Sequence, residues 1–151
     1  MLSGYRRSVG DMTNPTTPAF LSLRVITDDV DRMLGFYERA TGLTAARITE
    51  DFAELDTRVG RLVVAHARTT ANLPSGLEPG ASRSIIIEFL VEDPDAVHAL
   101  LGSTADVVLP PTTMPWGNRS LLVRDPDGNL VNFFAPVSQE AIAKFRGAAG
   151  A

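Results

Sequence analysis

The chain has 151 residues, 44% of them hydrophobic, with a formal net charge of -4 and no cysteine. That length fits one domain or two small modules. The missing cysteines exclude disulfides, thiolate metal sites and a cysteine nucleophile. No basic stripe marks a nucleic-acid partner, and no apolar stretch approaches the roughly 18–20 residues of a membrane-spanning helix.

Met1 to Asp11 carries Arg6 and Arg7 but no apolar centre, so residues 1–18 are expected to be a disordered extension, not a secretory signal, in a cytoplasmic protein. Phe20 to Ile26 alternates like a strand. Thr27-Asp28-Asp29 offers N-cap side chains, and Val30, Met33, Leu34 and Tyr37 then fall at helical spacing on one apolar face. Gly42 is the expected residue just past that helix, where a left-handed conformation closes the last turn. Ala45 to Thr57 and Arg58 to Ala67 are strand-like, with Gly60 opening the last strand.

Residues 69–83 are a linker by composition, rich in Asn, Pro, Ser and Gly. Ser84 to Val91 restarts the pattern as an Ile-rich strand. Glu92-Asp93-Pro94-Asp95 caps a second helix, with Pro94 at a tolerated first-turn position. Val107 to Leu109 is expected as a short strand and Pro110-Pro111 as a loop. Met114 to Phe134 follows as strand, turn, strand. In its Asp125-Pro126-Asp127-Gly128 turn, Pro presets φ and Gly supplies the positive φ that closes it. Gln139 to Phe145 suggests a terminal helix.

Asp29-Val30-Asp31 falls on Asp93-Pro94-Asp95 at an offset of 64 residues, and the final strands align at 68, placing Val64 on Asn132. The unit is βαβββ, twice. Its boundaries are 19–68 and 84–136, with residues 137–151 a helix and tail.

With Phe36-Tyr37 and Thr41-Gly42 closing the first helix and the Asp125-Pro126-Asp127-Gly128-Asn129 turn, this organisation resembles the vicinal oxygen chelate superfamily of glyoxalase I, extradiol dioxygenases and bleomycin-resistance proteins. The resemblance runs from about Ala19 to Pro136 and is nearest the metal-free bleomycin-resistance branch. It implies an α+β fold in which two βαβββ modules form a curved mixed sheet around a cup. In the family's metalloenzymes His, Glu or Gln ligands stand on the first and last strands of each module. Those places fall here on Ser22, Ile86, Val64 and Asn132, which offer a divalent ion almost nothing. A register error of one residue reaches Leu21, Leu23 or Val131, and of two Arg24, Glu88 or His66. No metal and no other cofactor is therefore expected.

His66 shares a strand face with Val64 and is a candidate base near neutral pH if that face lines the cup; the plainer expectation is a histidine at the rim. Glu88 and Arg24 hold equivalent places, either as an ion pair between modules, the plainer reading, or projecting into the cup, where Glu88 is a candidate for proton transfer. Trp116, Phe134 and Phe52 are candidates for an aromatic wall, with Asn132, Arg119 and Ser22 as polar contacts; packing in the core or at a dimer interface is the alternative for the rings. Asn118 and Arg119 are either contacts for anionic or carbonyl groups at the cup rim or simply solvated, and His98 is expected as a solvated or half-buried helix residue.

Three functions fit these residues: a metal-independent small-molecule binding protein that sequesters an antibiotic or toxic metabolite; a glyoxalase- or dioxygenase-like lyase, isomerase or oxygenase acting on a small carbonyl or aromatic compound; and a ligand-free structural or regulatory module. The first needs only an apolar cup with a few polar anchors. A homodimer is expected, because the family commonly pairs modules across two chains.

Overall fold

A computed structural model describes residues 18–73 and 77–149; residues 1–17 of the expected extension lie outside that range. The first module runs β1 (Ser22–Thr27), α1 (Val30–Thr41), β2 (Ala46–Thr49), β3 (Phe52–Asp56) and β4 (Arg61–His66). The second runs β5 (Ile86–Leu90), α2 (Pro94–Leu101), β6 (Asp106–Thr113), β7 (Asn118–Arg124) and β8 (Leu130–Pro136), and α3 (Gln139–Ala149) follows. Each module is one four-stranded mixed sheet, in the orders β1-β4-β3-β2 and β5-β8-β7-β6. The βαβββ repeat and the α+β class are as the sequence implies.

Local chemistry sets the helix limits. Asp29 Oδ1 accepts the Arg32 amide at 3.0 Å, and Gly42 takes φ 72° at the far end of α1. Asp93 caps α2 in the same way, accepting the Asp95 amide at 2.9 Å with Pro94 in the first turn. Strand β6 departs from expectation, continuing through Pro110 and Pro111 with two register shifts against β7. It lies at a sheet edge, where a proline without an N–H forfeits no ladder bond on its open side.

The helices join the two modules. Val30, Met33, Leu34, Phe36, Tyr37 and Ala40 of α1 are all buried. One core draws Val25, Leu55, Leu62 and Val64 from the first sheet, Val97 and Leu101 from α2, and Leu121, Val131 and Phe133 from the second sheet. Rings cross the boundary between modules: Phe36 lies 6.5 Å from Phe133 and Tyr37 6.1 Å from Phe89, centroid to centroid. A buried polar contact adds to them, the Tyr37 hydroxyl donating to Asp125 Oδ2 at 2.6 Å. Both sheets thus turn one face to a shared helical layer, and α3 packs over Phe134 on the opposite face of the second sheet.

Candidate functional site

Strand register decides which residues stand on the open faces. On the first sheet Arg24 is opposite Val63, and Glu54 is opposite Val63 from the other side. Ser22, Arg24, Phe52 and Val63 therefore share the open face. On the second sheet Glu88 is opposite Asn132, which is opposite Leu122. Ile86, Glu88, Leu122, Asn132 and Phe134 share that face.

This corrects one placement. Val64 belongs to the inner face and is fully buried in the core, so the residue equivalent to Asn132 is Val63. The cause is turn length. The β3–β4 connection uses the four residues 57–60, whereas the β7–β8 connection uses the five residues 125–129. One extra residue shifts the alignment of the last strands by one and exchanges their faces. His66 does share a face with Val64, but that face is turned inward. Its Nδ1 accepts the Arg68 amide at 3.1 Å and caps a short 3₁₀ turn, Ala67–Thr70, so His66 is not a cup-facing base.

Both open faces carry polar side chains, and on the first Arg61 pairs with Glu54 at 3.5 Å. The Arg24 guanidinium sits 5.1 Å from the centre of the Phe52 ring, a cation–π contact. On the other sheet Asn132 Nδ2 donates to Glu88 Oε2 at 2.8 Å. That bond orients the amide and leaves Asn132 Oδ1 enclosed with no hydrogen-bond partner among the described residues. Arg24 and Glu88 do not pair within the chain, because they stand on the open faces of different sheets.

The remaining candidates are dispersed. Ser22 is exposed on β1. Trp116 lies in the β6–β7 turn, 64% exposed. Phe134 is buried beneath α3, its ring 5.3 Å from that of Phe145. Phe52 is on the other sheet, so the three rings form no wall within one chain. Arg119 points to the helical side, where Nε and Nη2 grip the Asp95 carboxylate at 2.6 and 2.8 Å. The hydrogen bonds from Arg119 hold the Asp95 carboxyl below its ordinary range and push the guanidinium up in turn. Asn118 keeps an enclosed, unpartnered Oδ1. His98 lies half-buried on α2.

The places that hold metal in the family's metalloenzymes are thus Ser22, Val63, Ile86 and Asn132: a hydroxyl, two hydrocarbons and a neutral amide. Hard and borderline divalent ions need carboxylate or imidazole donors, so these residues do not fit one. Among the described residues no group of three His, Cys, Asp or Glu is placed to hold an ion. No helix among them is long and apolar enough to cross a membrane.

The two-module fold defines the class. The model of the Glyoxalase/Bleomycin resistance protein/Dioxygenase superfamily matches residues 19–133, and the chain belongs to that superfamily. Among solved structures it is similar to a glyoxalase/bleomycin resistance protein/dioxygenase from Nocardioides (20% identity, 89% of this chain and 94% of that one, TM-score 0.65). It is also similar to TioX from Micromonospora sp. ML1 (25% identity, 80% and 100%, TM-score 0.61). The lactoylglutathione lyase from Agrobacterium tumefaciens shares the fold at 20% identity (79% and 94%, TM-score 0.61). A search of curated proteins finds no match.

Proposed function

We propose that this chain is a metal-independent small-molecule binding protein of the metal-free bleomycin-resistance kind, working in the cytoplasm, whose cup is completed by a second copy. The observation that carries this reading is the chemistry of the open faces. Two polar groupings, Arg24 with Phe52 and Glu88 with Asn132, stand at equivalent places on separate sheets, while the metal-ligand places offer no suitable donors. Within one chain the two faces look away from each other. A homodimer that sets the first sheet of one copy against the second sheet of the other brings both anchors into one cup and covers the exposed Ile86. Sequestration of an antibiotic or toxic metabolite is the use such a cup serves. Glu88 makes a compound with a cationic or N–H-rich edge the expected ligand, since a carboxylate is an acceptor only.

Three measurements test the reading. Light scattering is expected to give twice the chain mass, elemental analysis no stoichiometric metal, and calorimetric titration saturable binding of at least one planar cationic compound, weakened by Glu88→Gln. Stoichiometric Ni, Zn, Mn or Fe with turnover of a carbonyl or aromatic substrate overturns it. So does a monomer that binds nothing across a broad panel.

A further inference from the structure

The two modules also line a half-open cleft of about 380 Å³ between α1, the start of β6 and the β7–β8 turn. Its floor is apolar, formed by the buried Phe36 and Leu101. Three guanidinium groups line it: Arg32 and Arg39 from α1, one module's helix, and Arg124 from β7 of the other. Arg32 donates to the Pro126 carbonyl, and Arg124 Nη1 donates to the Gly128 carbonyl at 3.0 Å. Both are thereby anchored to the same turn by neutral acceptors that leave their charge uncompensated. Arg39 has no hydrogen bond or ion pair among the described residues.

Two carboxylates also line the cavity, Asp106 and Asp125. Asp125 is already committed, since its oxygens accept from the Tyr37 hydroxyl, the Asn129 side chain and two backbone amides. Asp106 is opposite Arg124 in the strand register but makes no ion pair with it. Three guanidinium groups against two carboxylates leave the cleft one positive charge in excess on a chain whose net charge is -4, and hydrogen bonds already occupy the Asp125 oxygens.

We infer that this inter-module cleft binds a small phosphate monoester, at a site separate from the cup. Planar guanidinium forks match phosphate oxygens two at a time. Three cations suit a doubly charged head better than a single carboxylate. The Phe36 and Leu101 floor accepts the organic part of the ester, and a cavity of this size is of the order of known small-ligand sites. The groups come from both modules, so occupancy ties the modules together and stabilises the folded chain by mass action.

The test is calorimetric titration of the full chain with inorganic phosphate and with phenyl phosphate against sodium chloride at matched ionic strength, paired with thermal unfolding. Arg39→Gln is the informative variant because Arg39 is exposed and unpartnered, so its loss leaves the fold intact. The expected result is saturable binding of phenyl phosphate, tighter than inorganic phosphate, with a concentration-dependent rise in Tm. Affinity should fall at least about tenfold in Arg39→Gln, the scale of one lost charge-assisted hydrogen bond. Arg124→Gln should weaken binding as well. A Tm that follows ionic strength alone, or undiminished binding in Arg39→Gln, overturns the site. Equal affinity for the two phosphates overturns the ester assignment.

Discussion

Asp125 is a buried carboxylate whose four hydrogen bonds hold the β7–β8 turn in shape and fasten it to α1 of the other module. Burial, with the nearby Asp125 carboxylate second, pushes the Tyr37 hydroxyl well above the usual phenol range. A raised folded-state pKa means stability that is present below the unfolded value and lost as pH rises. Stability should therefore decline above about pH 10, where the unfolded phenol ionises. Tyr37→Phe should abolish that alkaline limb and cost about 1–3 kcal/mol at neutral pH, read from urea midpoints, because one buried acceptor position is left unfilled. Asp95 has the opposite sign. Its pKa is lowered by Arg119, so its contribution is present above the unfolded carboxyl value and lost as pH falls below about 4. Arg119→Gln should flatten the acid limb of the stability profile without moving the alkaline one. The Asp95–Arg119 pair was not legible in the sequence, since the partners lie 24 residues apart on different elements and meet only by packing.

The same limit appears for whole elements. Both helices could be placed from caps and apolar spacing, because those signals are local, and period-2 alternation correctly grouped Val64 with His66. It could not say which group faces the helices, because alternation is symmetric between faces. Pro110 and Pro111 read as a loop in sequence because a sequence does not show that a strand lies at an edge, where β6 runs through both. The C-terminal helix is a further case. The residues just before it pack on the β6–β7 turn, where Val137 and Ser138 amides donate to the Gly117 carbonyl at 2.8 and 3.0 Å. Gly117 has φ 94°, and a Cβ there would lie 2.6 Å from Ser138 Cβ. Gly117→Ala should therefore cost more than about 1 kcal/mol and speed hydrogen exchange in α3, uncovering Phe134. Unchanged exchange in α3 would show that the helix is held independently of the turn.

At the scale of the molecule, the chain is two repeats around one core. Phe133 is fully buried and stacks on Phe89 at 5.5 Å, with Phe36 of the other module 6.5 Å away. Phe133→Ala should cost about 3–5 kcal/mol in urea unfolding. Both modules should still unfold in one transition, with near-UV and far-UV signals coincident. Separate transitions would show that the modules are stable apart. The shared core uses α1 and α2 on one face of each sheet, while α3 lies over Phe134 on the opposite face of the second sheet.

The sequence by itself determined the repeat, the helix caps, the closing turn and the poverty of metal donors on the ligand-bearing strands, because each depends on residue type at short spacing. Only the tertiary structure decided that Val63 and not Val64 stands opposite Arg24, that Phe134 lies under α3, and that Arg32, Arg39 and Arg124 surround one cavity. Those outcomes depend on a single residue of turn length and on how two modules pack. Neither is written in the alternation of polar and apolar residues along one strand.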